Sequence, residues 1–371
     1  LISCLFRSTC WENIMFERNM VLKQYFGHSE FRNGQDQVVD AILNKNDALC
    51  VMPTGAGKSI CYQVPALCFE GVTIVISPLI SLMKDQVNAL TQNGVRAAYL
   101  NSSLNSTQYF KAIENIRRGV YKIIYVAPER LMVPEFLEIC KVIKIDLLAI
   151  DEAHCISQWG QDFRPSYLKI SDFVDSLVYR PIIAAFTATA TAEVKQDIEY
   201  SLRLENPFCI TTGFDRPNLK FEVIRPKNKL SALLEILEKH DNDSGIIYCS
   251  TRKKVEELVS ELNNEGFSAT MYHAGLDDDI RKKNQEDFVY DRKNIMVATN
   301  AFGMGIDKSN VSYVIHYNMP KDIESYYQEA GRAGRDGSSA ECVLLYSPGD
   351  VHTNQFLIEN AEPNPDLTPE H

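Results

Sequence analysis

Short apolar runs alternate with amphipathic segments from about residue 47 onward, the pattern left by parallel sheets covered with helices. In the first half the expected strands are Leu49–Met52, Val72–Ser77, Ala97–Leu100, Ile123–Val126, Leu147–Asp151 and Ile182–Thr187. Helices are expected between them over Lys58–Leu67, Leu79–Gln92 and Gln108–Arg117. A second series follows Gly213: Leu219–Val223, Gly245–Cys249, Ala269–Tyr272, Ile295–Ala298, Val311–His316 and Cys342–Tyr346. Between the two, Gly213-Phe214-Asp215-Arg216-Pro217-Asn218 carries the Gly and Pro of a hinge or linker. No repeat relates the halves at the level of sequence. The 371 residues accommodate two such domains at roughly 100–200 residues each.

Composition narrows the class. With 45% hydrophobic and 23% charged residues, disorder is excluded as the main state. No apolar run approaches the ~18 residues of a membrane span. Arg7, Glu12, Glu17 and Arg18 interrupt the first twenty residues, so no secretory signal is expected. A chain that begins on Leu1 instead of Met is expected to be a fragment. Acidic side chains outnumber basic ones, 49 to 38, for a net charge of −11. That argues against gripping DNA through one broad basic face, although a local positive groove fits on an acidic molecule. The ten cysteines include no CxxC, which points to reduced, mostly buried thiols and no zinc site. Asn360 to His371, with Pro363, Pro365 and Pro369, is expected to fray.

Three motifs carry chemistry. Met52-Pro53-Thr54-Gly55-Ala56-Gly57-Lys58-Ser59 follows an apolar strand and opens a helix. Gly55 and Gly57 let backbone N–H groups turn inward around phosphate oxygens. Lys58 adds a mobile positive charge, Ser59 a hydroxyl for Mg²⁺, and the helix its positive end. The strict GxxxxGK[ST] pattern fails only at its first glycine, where Met52 stands. Next, Leu147-Leu148-Ala149-Ile150-Asp151-Glu152-Ala153-His154 delivers two adjacent carboxylates to the mouth of a sheet, where ligands bind in open α/β folds. Asp151 is placed to hold Mg²⁺ through water and Glu152 to polarise an attacking water. The third is Gln328-Glu329-Ala330-Gly331-Arg332-Ala333-Gly334-Arg335-Asp336-Gly337. If helical, it presents Arg332 and Arg335 on one face. A guanidinium that reaches a γ-phosphate from another domain is worth about 10³–10⁵ in rate.

Together these stretches resemble superfamily 2 helicases and, within them, the RecQ family of DNA helicases, in order over about residues 21–350. That family tolerates the missing first glycine. Phe31-Arg32-Asn33-Gly34-Gln35 resembles its adenine-recognition element, which implies Gln35 on the base edge, Arg32 on the ring, and His28 where an aromatic often stacks. Ser157-Gln158-Trp159-Gly160-Gln161-Asp162-Phe163-Arg164-Pro165 resembles the aromatic-rich loop that couples single-stranded DNA to ATP hydrolysis. Trp159 and Phe163 offer faces for bases, about 1–3 kcal/mol each, and Arg164 offers charge. Gln161 stands where many relatives have His. Ser77-Pro78-Leu79-Ile80-Ser81-Leu82-Met83-Lys84-Asp85-Gln86 and Ala127-Pro128-Glu129-Arg130 resemble strand-tracking segments, and Thr187-Ala188-Thr189 the element linking hydrolysis to domain movement. In the second half Tyr248-Cys249-Ser250-Thr251-Arg252, Tyr272-His273-Ala274-Gly275 and Ala298-Thr299-Asn300-Ala301-Phe302-Gly303-Met304-Gly305-Ile306-Asp307 resemble the DNA-facing and nucleotide-facing motifs.

The resemblance implies an α/β fold of two tandem RecA-like domains: 21–212 binding ATP and 213–350 completing the motor, with an extension over 1–20 and a tail over 351–371. It implies ATP and Mg²⁺, with Lys58, Asp151, Glu152, Arg332 and Arg335 catalytic. His28, Arg32, Gln35, Thr54, Gly55, Ala56, Gly57, Lys58, Ser59 and Gln328 would hold the nucleotide, and Ser59 and Asp151 the metal. Trp159, Phe163, Arg164 and His154 would couple DNA. It also implies 3′→5′ travel on single-stranded and forked or branched DNA, with no membrane partner, and a nuclear location if the source is eukaryotic. Relatives commonly continue into zinc-binding and winged-helix regions. No such cysteine cluster stands here, so the motor core alone is expected. An RNA helicase of the same superfamily shares the nucleotide chemistry and differs at the aromatic-rich loop. A binding module with a vestigial ATP site would not need the full set Lys58, Asp151, Glu152 and Arg335.

Overall fold

The computed structural model describes residues 17–159, 163–213, 215–302 and 308–359, the last four by backbone alone. The chain divides into two compact units, one through residue 214 and one from Asp215.

The first unit is a seven-stranded parallel sheet. Its strands are β1 (Ala48–Val51), β2 (Val72–Ile76), β3 (Ala97–Leu100), β4 (Ile123–Val126), β5 (Ile145–Ile150), β6 (Ile182–Thr187) and β7 (Phe208–Thr211). They lie in the order β3-β4-β2-β5-β6-β1-β7. Parallel strands covered by helices on both faces must be apolar on both, which is why they read as unbroken runs and not as alternations. Leu49, Ile74, Ile124, Leu148 and Ile183 pack in one core; Cys50, Val75, Tyr125, Ala149 and Phe186 pack in the other. The edge strand β7 went unread in the sequence. Phe208 and Ile210 are half-buried while Cys209 and Thr211 are exposed, so only half of its four residues carry an apolar signal.

In the second unit six parallel strands follow: β8 (Leu219–Ile224), β9 (Ser244–Tyr248), β10 (Ala269–Tyr272), β11 (Ile295–Ala298), β12 (Val311–His316) and β13 (Ala340–Leu345), ordered β10-β11-β9-β12-β13-β8. Every strand expected from the sequence is present within one or two residues of its predicted ends.

Two segments read as extension and tail are corrected. Residues 17–20 open a helix over 17–26. There Arg18 is buried, pairs with Asp40 at 2.5 Å and donates to the Asp36 carbonyl at 3.0 Å, while Leu22 joins Val39 and Val64 in a small core. Residues 351–359 continue the helix Pro348–Glu359. Buried Asp350 in its first turn receives Lys229 Nζ at 2.6 Å and Asn318 Nδ2 at 3.0 Å, and Asn354 Nδ2 donates to the Pro320 carbonyl at 2.7 Å. Both misreadings have one cause: a polar residue that anchors a helix by pairing looks from sequence like a solvated one.

Of the described cysteines, Cys50, Cys61, Cys140, Cys155, Cys249 and Cys342 are buried free thiols, Cys68 is half-buried and Cys209 exposed. Among the described residues no helix is long and apolar enough to cross a membrane.

Gly245 on β9 makes the closest approach in the second sheet, since a Cβ there would lie 1.9 Å from the Tyr313 ring. Gly245→Ala is expected to lower stability by about 1–3 kcal/mol or more through overpacking. A urea titration of the purified variant checks this; an unchanged midpoint would mean that the ring moves aside freely.

Candidate active site

Three strand ends build the site of the first unit. β1 runs into the glycine loop, β6 ends at Thr187, and β5 ends beside Asp151-Glu152. β6 alone separates β1 from β5, so the loop and the carboxylates lie roughly 10 Å apart, two strand spacings.

The glycine loop is held from behind. Arg32 Nη1 donates to the Gly55 carbonyl at 2.8 Å, and Gln35 Nε2 to the carbonyls of Ala56 and Gly57 at 2.9 and 3.0 Å. In each peptide plane the N–H points opposite to the C=O, so the N–H groups of Gly57 and Lys58 face the other way, while that of Ala56 donates to the Pro53 carbonyl at 3.1 Å. Gly57 sits at φ +80 as the N-cap of the helix Lys58–Cys68. A Cβ there would lie 2.5 Å from Gln35 Nε2, so the loop and its brace leave no room for a side chain. Lys58 Nζ donates to the Met52 carbonyl at 3.1 Å across the loop.

Gln35 is buried, and its carbonyl accepts the Arg32 N–H at 2.8 Å. Its polar atoms are therefore engaged with the loop and its own turn, and contact with an adenine edge requires exchange of these bonds. Arg32 likewise spends a nitrogen on Gly55, while His28 is exposed. The two residues implied to recognise a base serve here as the loop's support.

Asp151 is buried, and burial, then the charge of Glu152, push its carboxyl up to about 7, against the lowering pull of Lys58. Tyr167 fixes the turn by donating its hydroxyl to the Asp151 carbonyl at 2.8 Å. Glu152 occupies φ +47, left-handed backbone that a non-glycine residue keeps only when its surroundings impose it. Its Oε2 is buried without a hydrogen-bond partner. His154 Nδ1 lies 2.9 Å from Thr187 Oγ1 and 3.5 Å from Glu152 Oε2. Thr187 donates its single hydroxyl hydrogen to the Thr189 carbonyl at 2.9 Å, so the proton in the His–Thr bond belongs to His154. That bond ties the acidic turn to the end of β6.

Two close carboxylates with little compensation are a site short of positive charge. The Ser59 hydroxyl and the Asp151 carboxylate are hard oxygen donors of the kind Mg²⁺ takes. Among the described residues no group of three or more His, Cys, Asp or Glu is placed to hold a metal ion.

Beyond the acidic turn, Ser157 Oγ donates to Asp197 at 2.6 Å and accepts the Trp159 N–H at 3.2 Å. The Trp159 indole itself is 78% exposed. Phe163 is half-buried, and Arg164, whose N–H bonds the Cys155 carbonyl at 2.8 Å, reaches the Pro78 carbonyl at 3.4 Å. Gly160, Gln161 and Asp162 lie outside the described residues, as do Gly303 to Asp307.

In the second unit the arginine motif is not one helix. The helix Ile323–Ala330, which carries half-buried Gln328, stops at Ala330. Arg332 and Arg335 then lie on successive turns, the first buried and the second half-buried. Gly334 sits at φ +57 between the two arginines, and a Cβ there would lie 2.5 Å from Asn218 Nδ2. Residues first read only as linker hold these turns. Arg216 Nη2 donates to the carbonyls of Ala333 and Gly334 at 3.0 and 2.9 Å, and Asn218 Nδ2 to those of Gly334 and Ser338 at 2.9 and 2.8 Å. No local pattern marks them for that task, because their partners are more than a hundred residues away.

Residues 32–198 match the DEAD/DEAH box helicase family and residues 228–337 the helicase conserved C-terminal domain. The chain is 50% identical over 92% of its length to the ATP-dependent DNA helicase RecQ of Bacillus subtilis, covering 58% of that protein. It is 40% identical to the probable ATP-dependent DNA helicase RecS of the same organism, covering 93% of this chain and 70% of that one. To the ATP-dependent helicase wrn-1 of Caenorhabditis elegans it is 42% identical, over 92% of this chain and 33% of that one. The chain thus spans a little over half the length of the bacterial RecQ proteins it matches. In fold it is similar to Mss116p bound to ssRNA and AMP-PNP, with a TM-score of 0.77 at 18% identity over 94% of this chain and 76% of that one. The phosphate loop, the acid pair and the two parallel-sheet units of the tandem RecA-like fold agree with these likenesses: the chain belongs to the RecQ family of ATP-dependent DNA helicases.

Proposed function

We propose that this chain is the motor of an ATP-dependent DNA helicase that travels 3′→5′ along a single strand and opens forked or branched DNA in repair, recombination and replication. The observation that carries the reading is the row of three strand ends in the first unit. There a glycine loop braced by Arg32 and Gln35 faces two carboxylates held by Tyr167 and by the His154–Thr187 bond.

The inward N–H groups and Lys58 hold the β- and γ-phosphates. Ser59 and Asp151 would hold Mg²⁺, which would neutralise charge on the phosphate oxygens. Glu152 accepts a proton from the attacking water as its oxygen bonds to the γ-phosphorus and the bond to the β-phosphate oxygen breaks, yielding ADP and phosphate. Arg335, with Arg332 beside it in sequence, serves as the guanidinium that meets charge on the γ-phosphate. Gln328 contributes to the nucleotide side of that unit. Gln35, Arg32 and His28 form the adenine end, with Gln35 exchanging its loop bonds for the base. ATP binding and loss shift the motor between states of different affinity for the strand, and this difference is what moves it.

Trp159, Phe163 and Arg164 receive the strand, and the Ser157–Asp197 bond anchors their loop next to the acidic turn. His154 relays the loop's state to Thr187. The bacterial RecQ relatives, at 47–50% identity, are more similar to this chain than the nematode one at 42%, so the place of action is proposed as the nucleoid in a bacterium and the nucleus in a eukaryote.

Lys58→Ala and Glu152→Gln are each expected to reduce ATP turnover at least about a hundredfold, the low end of what acid–base catalysis supplies, with the melting temperature unchanged. Phosphate release by the purified variants measures it. Hydrolysis retained by Glu152→Gln would remove that residue from the role of base.

For Trp159→Ala stability is expected within ~0.5 kcal/mol of the parent, since the indole is solvent-facing. Basal turnover persists and the stimulation by oligo-dT falls. Equal stimulation of parent and variant would reject the coupling role, and stronger stimulation by oligo-rU than by oligo-dT would reject DNA as the substrate.

A further inference from the structure

One buried polar chain in the first unit has no part in the chemistry above. Tyr62 lies one turn beyond Ser59 on the helix Lys58–Cys68 that opens at the glycine loop. Its hydroxyl lies 3.5 Å from that of Tyr125 on β4. Gln63 Nε2 donates one hydrogen to Tyr125 Oη at 3.0 Å and the other to Gln86 Oε1 at 2.9 Å. Gln86 belongs to the helix Ile80–Gln92, which begins directly after Ser77-Pro78-Leu79. Tyr62, Gln63 and Tyr125 are between 1% and 4% exposed. The chain therefore runs through the core from one turn beyond a residue proposed to hold the cation to the helix of a segment proposed to track the strand.

Burying the three polar side chains of Tyr62, Gln63 and Tyr125 beside Val75, Ile123, Ala149 and Phe186 is costly unless each is satisfied, and apolar residues of the same size fill such a space without that demand. What the polar set provides instead is a fixed relation between two helices. Beside its origin, the Ser59 oxygen is the atom whose surroundings change when the site fills. A shift of Ser59 as the site fills moves Tyr62, one turn along the same helix. Tyr62 in turn moves against Tyr125, whose oxygen also accepts from Gln63. Gln63 is pulled between Tyr125 and Gln86 on the helix Ile80–Gln92.

We infer that Tyr62, Tyr125, Gln63 and Gln86 are positioning residues that carry the state of the nucleotide site to the strand-tracking helix, a route separate from the loop that bears Trp159. The inference rests on the function proposed above. Its test is the affinity for a fluorescent oligo-dT, read by anisotropy, without nucleotide and with AMP-PNP and Mg²⁺, for the parent chain and for Tyr125→Phe. Tyr125→Phe removes one oxygen and leaves the ring in place. Coupling between two sites is commonly about 5–150-fold, and Tyr125→Phe is expected to reduce the parent's ratio at least about threefold. AMP-PNP affinity, affinity for DNA alone and basal ATP turnover stay as in the parent. Gln63→Met, which keeps the volume and removes both donors, is expected to do the same and serves if Tyr125→Phe does not fold. A ratio equal to the parent's in folded Tyr125→Phe or Gln63→Met overturns the relay alone. A parent chain whose DNA affinity ignores AMP-PNP overturns the proposed function and the relay with it.

Discussion

Adjacent carboxylates at the end of a buried strand repel one another, and the structure around Asp151 and Glu152 is organised by the need to keep them there. Burial raises the Asp151 carboxyl, Glu152 raises it further, and Lys58 offsets part of the effect from the facing loop. Glu152 keeps left-handed backbone, and Tyr167 and the His154–Thr187 pair hold the turn in that strained form. A fold that keeps two charges in so little water has stored the electrostatic demand that a cation and a polyphosphate meet in part. The same arrangement would destabilise a protein with nothing to bind there.

Much of this was legible because parallel strands have no polar face. Leu147 to Ile150 or Ile123 to Val126 can be little other than doubly covered strand, and the residues after them fall at the sheet's carboxyl edge by geometry alone. Legibility failed where the signal is shared with distant residues. β7 is half exposed because it has a neighbour on one side only. Arg18 and Asp350 look solvated until Asp40 and Lys229 are found beside them. Arg332 and Arg335, which would share a face if their segment were helical, lie on turns after the helix ends at Ala330, with Gly334 in a left-handed conformation that the spacing of two arginines cannot reveal. Gln35 shows a subtler limit: the residue type was informative, but only coordinates show that its amide faces the phosphate loop.

The supports of the two units follow one rule. In the first, Arg32 and Gln35 take up the outward carbonyls of the glycine loop. In the second, Arg216 and Asn218 take up those of the turns that carry Arg332 and Arg335. Glycine-rich backbone supplies little packing of its own, so side-chain donors from elsewhere in the same unit hold its shape. An acidic chain can in this way place short, well-oriented donors where phosphate is handled without a large basic surface.

The order of strands in the first sheet has a consequence for biosynthesis. β1 is the earliest strand made, yet its two neighbours, β6 and β7, are the last, with Ala48 paired to both Ala184 and Phe208. A nascent chain on the ribosome therefore carries its phosphate loop unsupported until nearly the whole unit has emerged, since long-range parallel pairing must wait for its final partners. Translation products broken off before that point lack a scaffold for the nucleotide, so an incomplete motor is silent and does not squander ATP.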